Sequence, residues 1–175
     1  MSELTTEVSP ETGEETTVVP EETLNPDQLL ALTFIQGLCA ASGLGAQAVV
    51  RSAQKPYLQI EIVGEDVRQT WGRQGQTLDA LQFLCNTVLA HRVSSDVRLM
   101  LDAEGYRARR AATLIERARE LAREVRERNQ EAELEPLPAH ERRIIHNALI
   151  DEPGITTYSE GDEPSRHIVI APRAE

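Results

Sequence analysis

Aromatic side chains are scarce in this chain, only 3% of 175 residues, so aliphatic groups must fill whatever cores it builds. Cysteine is scarcer still. Cys39 and Cys85 stand alone in apolar surroundings, which excludes a disulfide framework, and no histidines cluster with them to hold zinc. Buried, reduced thiols are expected. Arginine and lysine are missing altogether from residues 1–27, where Glu3, Glu7, Glu11, Glu14, Glu15, Glu21, Glu22 and Asp27 stand. Residues 1–24 also lack packing side chains and read as a disordered acidic tail, without the apolar stretch of a secretory signal. Charge of either sign is missing from Gln28 to Val50, a length that invites comparison with a membrane span. Gln36, Ser42 and Gln47 interrupt that stretch, Gly37, Gly43 and Gly45 divide it, and no basic cluster flanks it. No membrane span is expected, and the reading is of a cytoplasmic protein.

What is present is mostly charged or aliphatic. The net charge of -11 argues at first against a polyanion as partner, but eight of the 29 acids lie in residues 1–27. The rest of the chain sets 21 acids against 18 bases, close to balance.

The patterning predicts an α+β chain of two small domains. Asn25-Pro26 reads as a helix start, with Asn25 as N-cap and Pro26 in the first turn, and the helix should stop near Gly43. Residues 48–52 and 58–63 read as a strand pair around the turn Gln54-Lys55-Pro56, the second alternating polar with apolar. A short helix over 65–71, the sequence Gly72-Arg73-Gln74-Gly75, a helix from Gln76 and a strand over 97–101 follow. Asp102 is expected to open a long helix to about Asn129, with Leu114, Ala118, Leu121 and Val125 as its apolar stripe. A short strand at 133–135, a helix from Pro138 to about Ile150 and paired strands at 155–158 and 167–170 complete the reading.

Two places carry chemistry. A Gly-x-x-Gly alone is a tight turn. Here it follows a strand pair and opens a helix, where two glycines admit a phosphodiester backbone and free N–H groups favour anionic oxygen. KH domains clamp about four nucleotides in this way. Near the C-terminus, Arg142 and His146 stand four residues apart, so a helix points them the same way. Arg142 can grip two phosphate oxygens. His146 can donate to phosphate or stack on a base, with a dependence on pH. Arg166 and His167 can add donors, and Arg143 either pairs with a glutamate or extends the patch. Tyr106, Arg107 and Arg110 are further candidates for the same face, whereas Asp162-Glu163 reads as a turn. Ser159 and His167 lack the frame of a nucleophile elbow. The four histidines, His91, His140, His146 and His167, lack metal-ligand spacing, and no nucleotide-binding motif occurs. Neither catalysis nor a cofactor is expected.

Residues 72–84, Gly-Arg-Gln-Gly-Gln-Thr-Leu-Asp-Ala-Leu-Gln-Phe-Leu, resemble the KH signature of the bacterial Jag family, also called KhpB. Residues 141–149 and 157–172 resemble the R-3-H motif of the same family, in the expected order. The resemblance covers roughly 28–173. It implies a type II KH domain (α-β-β-α-α-β) over 25–102 and an R-3-H domain over 103–175. It implies single-stranded RNA binding through Gly72, Arg73, Gln74 and Gly75 and through Arg142 and His146. It also implies post-transcriptional regulation linked to cell division and envelope growth, often with a second, small KH protein as partner. Three departures stand out. An acidic tail occupies the end where the family commonly carries a Jag domain. Neutral Gln74 fills a position that is usually basic. Trp71 replaces an aliphatic residue, either packing as core or stacking on a base. A protein-interaction adaptor that uses the KH fold as a docking surface, or a binder of single-stranded DNA, would fit the same residues.

Overall fold

The computed structural model describes residues 6–7, 16–92 and 97–173. Most of the acidic stretch 1–24, expected to be disordered, lies outside them. Two dipeptide strands, β1 (Thr6–Glu7) and β2 (Thr16–Thr17), pair antiparallel. Residues 18–24 depart from the expectation. Glu21–Thr23 form a 3-10 turn, and the Val19 N–H donates to the Val50 carbonyl at 2.9 Å. Val19 and Leu24 pack against an apolar core while Glu21 and Glu22 stay exposed. Two aliphatic anchors are enough to dock a segment that its charge made look loose.

The chain divides into two compact units, one ending at Arg107 and the other beginning at Ala108. In the first unit, α1 (Pro26–Ser42) starts on a reciprocal cap. The Gln28 N–H donates to Asn25 Oδ1 and the Asn25 N–H to Gln28 Oε1, both at 3.0 Å. Gly43, at φ 69°, closes the helix as a left-handed cap. β3 (Ala46–Ser52) and β4 (Tyr57–Gly64) pair antiparallel, α2 (Val67–Trp71) and α3 (Gln76–Arg92) cross over, and β5 (Arg98–Ala103) returns parallel to β4. The sheet order is β3-β4-β5, and the element order is the expected α-β-β-α-α-β. Alternation in β4 sends Leu58, Ile60 and Ile62 into the core, where they meet Leu32, Ile35, Leu78 and Leu101. Cys39 and Cys85 are free and buried there. Burial pushes the Cys85 thiol up to about 11 and raises that of Cys39 as well, so both stay protonated, unreactive thiols at neutral pH.

The long helix begins later than Asp102. β5 runs on through Ala103, and Glu104 (φ 48°) and Gly105 (φ 66°) turn the chain into α4 (Tyr106–Arg128). Asp102 still serves the helix start from the strand, because its Oδ1 accepts the Arg107 N–H at 3.2 Å. The Arg107 guanidinium in turn donates to the Leu101 carbonyl at 2.9 Å and to Asp79 at 2.8 Å. These bonds hold Arg107 in the first unit, which ends there.

In the second unit, Leu114, Ala118, Leu121, Ala122 and Val125 of α4 are buried with Ile145 and Leu149 of α5 (Ala139–Leu149). β6 (Ala132–Glu133), β7 (Ile155–Glu160) and β8 (His167–Pro172) form an antiparallel sheet in the order β6-β8-β7. Ile155, Ile168 and Ile170 complete this core. Among the described residues, no helix is long and apolar enough to cross a membrane.

Candidate nucleic-acid interface

The amphipathic period of α5 decides what each of its polar residues can reach. Arg142, Ile145 and Leu149 follow the i, i+3, i+7 spacing of a buried stripe, and all three are buried. His146, one turn on from Arg142, stands at the edge of that stripe and Arg143 further round, and both are exposed. An open groove of about 310 Å³ runs between this helix and β7, lined by Ala139, Arg142, Arg143, His146 and the segment Thr157–Ser159. Arg142 and His146 do share one site, as the spacing predicts, but they are different kinds of group within it.

Arg142 is only 8% exposed. Its Nε–H donates to the Leu137 carbonyl at 2.9 Å, and Nη2 pairs with the Glu163 carboxylate. The acidic dipeptide read as a plain turn therefore supplies an internal anion for this arginine. Arg143 has no hydrogen bond or ion pair among the described residues and projects as a solvated cation. His146 Nδ1 lies 2.6 Å from Thr157 Oγ1, which fixes the ring and leaves Nε2 for a ligand. Thr157 was not singled out in the sequence, since nothing local marks a threonine eleven positions from its histidine. The floor of the groove comes from alternation in β7, whose Thr157 and Ser159 share the face paired with Ile170 and Ile168.

Arg166 and His167 do not line this groove. Arg166 donates to the carbonyls of Gly161 and Ser159, at 3.2 and 3.4 Å, and so staples the β7–β8 connection. His167 faces Glu133 across β6 and β8, with Nε2 3.6 Å from the carboxylate. The first residues of α4 are structural as well. Arg107 is held as described above. Arg110 donates Nε–H and Nη2–H to Glu141 Oε1 and Oε2 at 2.7 and 2.9 Å. This forked pair joins α4 to α5 and leaves Glu141 2% exposed.

In the first unit, Gly72 (φ 69°), Gln74 (φ 53°) and Gly75 (φ 79°) all take positive φ. The strain falls on Gln74, since only glycine adopts this region freely. A Cβ on Gly72 would lie 2.0 Å from Thr77 Oγ1, and one on Gly75 2.7 Å from Tyr106 Cε1. Both glycines are therefore required by packing, whatever approaches from outside. Trp71 resolves toward core. It is half-buried against the apolar cluster, its ring is 5.0 Å from that of Tyr106, and Arg68 stands 6.0 Å from its centroid. Arg73 is exposed and Gln74 half-exposed, so the loop offers one cation and the N–H groups at the start of α3.

Comparison with known proteins bears on both units. The family model described as the R-3-H domain matches residues 112–172. A protein of Bacillus subtilis named RNA-binding protein KhpB is 34% identical over 152 residues, covering 86% of this chain and 72% of that protein. Its namesake in Clostridium symbiosum is 34% identical over 146 residues, covering 83% of this chain and 66% of its own length. That of Lactiplantibacillus plantarum is 42% identical over 102 residues, 58% of this chain. The chain thus spans just under two thirds of the Clostridium protein and 32% of the Lactiplantibacillus one.

Proposed function

This chain belongs to the KhpB family, and from that footing we propose that it binds single-stranded RNA without covalent chemistry. The α5–β7 groove carries the reading. There an exposed Arg143 and a histidine oriented by Thr157 flank a buried arginine that is already occupied by a carboxylate. A phosphate is the natural guest of such a set, and an unpaired base can follow it into the open groove. Gly72–Gly75 supplies a second contact, weaker than the family's usual one because Gln74 is neutral. Post-transcriptional regulation in the cytoplasm, linked to cell division and envelope growth, is the role that fits a binder of this kind.

Titration of labelled single-stranded RNA, beside DNA of the same sequence, tests the proposal. Affinity should fall steeply with salt, since released counterions drive phosphate binding. Salt-independent binding, or none at all, would overturn it. Gln74→Lys should tighten binding roughly threefold at low salt, by adding one phosphate contact to the loop. If affinity stays flat in that variant, the glycine loop is not a contact.

One observation favours an adaptor role as a second reading. Between Asp79 and Arg92, α3 carries no charge, and Phe83 and Leu84 on it are 70% and 55% exposed. A second, small KH protein could cover that face. Co-elution of the two proteins after nuclease treatment separates docking from bridging by RNA, which the absorbance ratio before treatment reveals.

A further inference from the structure

The solvent face of the first unit's sheet holds a group of side chains that the two sites above do not use. Strict alternation in β4 puts Tyr57 and Gln59 on the face opposite the core residues Leu58 and Ile60. The parallel register sets Tyr57 beside Arg98 and Gln59 beside Met100, on the same face. Tyr57 is 45% and Met100 43% exposed, and Arg98, Gln59 and Lys55 in the preceding turn are exposed too. Lys55 is the chain's single lysine.

Charge on this face is uneven. Glu61 is paired with Arg51. Asp102 accepts the N–H groups of Ala103 and Arg107, at 2.8 and 3.2 Å. The Tyr57 end therefore presents exposed Arg98 beside Tyr57 and exposed Lys55 in the turn that leads into β4, while the acids of β4 and β5, Glu61 and Asp102, lie toward the other end of the strands. In a chain of net charge -11, that combination suits one kind of guest. A flat π-face takes an unstacked base, a neighbouring thioether fills in under it, and cations on either side take the flanking phosphates. A duplex offers no free base face and fits poorly.

We propose that this sheet face is an additional binding platform for single-stranded RNA, with Tyr57 and Met100 under a base and Lys55 and Arg98 on its phosphates. The proposal rests on the RNA-binding reading given above and lengthens the path of the strand beyond the groove and the glycine loop.

The test uses the full chain with a labelled uridine 12-mer and the triple variant Lys55→Ala/Tyr57→Ala/Arg98→Ala. All three positions are exposed, and a thermal melt checks that the variant folds like wild type. Binding of the 12-mer should weaken about tenfold, and the slope of log affinity against log salt should flatten by about 1.4 units for the two lost phosphate contacts. Tyr57→Phe alone should keep wild-type affinity, because the ring face remains. Photocrosslinking of 4-thiouridine RNA should label the peptide containing Tyr57. A triple variant within twofold of wild type, with no crosslink at that peptide, overturns the platform. An Arg143→Ala/His146→Ala arm separates the two failures. If that arm weakens binding and the sheet variant does not, the platform alone falls. If wild type does not bind at all, the RNA-binding reading falls with it.

Discussion

Glu141→Ala is expected to lower the stability of the second unit by about 3 kcal/mol, the scale of breaking a buried ion pair from one side. Glu141 is 2% exposed, and both of its oxygens are taken by the Arg110 fork. Removing the carboxylate takes from a mostly buried guanidinium the two hydrogen bonds of its forked pair. For a unit of this size the melting temperature should fall by roughly 15 °C. Denaturant titration should show a lower midpoint at an unchanged slope. Arg110→Met/Glu141→Leu is the informative companion. Two apolar side chains of similar length fill the same space with no charge to desolvate, so the double variant should recover most of the loss. A wild-type melt for Glu141→Ala would show that the pair contributes nothing, and the docking of α5 would then rest on its apolar residues Ile145 and Leu149 and on the bonds of Arg142.

That pair also marks where local reading of the sequence stops. Asn25 and Pro26 announce α1 because a cap acts over three residues, and the structure builds the reciprocal bonds that the residue types suggest. Alternation in β4 is equally local. Asp102 was legible as a helix-starting residue but not as one acting from inside a strand, because the turn at Glu104 and Gly105 lies between the acid and the helix it serves. Arg110–Glu141, Arg142–Glu163 and His146–Thr157 join residues 31, 21 and 11 positions apart. No spacing rule predicts such partners. One signal was available and outweighed. The i, i+4 relation of Arg142 to His146 suggested a matched surface pair, while the i, i+3, i+7 relation of Arg142 to Ile145 and Leu149 already placed it in the apolar stripe. A long side chain can satisfy both, burying its stem and showing its head at the edge of a groove.

Arg143→Glu/His146→Ala should therefore weaken RNA binding by about 30-fold near 0.1 M salt, since two charge-assisted contacts of about 1 kcal/mol each are lost. The salt slope should flatten alongside, because reversing the charge at 143 removes one counterion-releasing contact. Stability should hardly change. Both side chains are exposed, and Arg143 has no bond to lose among the described residues. Arg142→Ala should behave in the opposite way. Its guanidinium holds the Leu137 carbonyl before α5 and the Glu163 loop after β7, so its loss should first appear as a lower melting temperature. Measuring melt and affinity on the same three proteins separates a residue that touches the ligand from one that shapes the groove. If Arg142→Ala loses affinity with an unchanged melt, the Glu163 carboxylate is a placeholder that RNA phosphate displaces. Arg142 would then bind the ligand directly. If it loses stability while Arg143→Glu/His146→Ala loses affinity, recognition belongs to the exposed side of α5, and Glu163 is a permanent part of the groove wall.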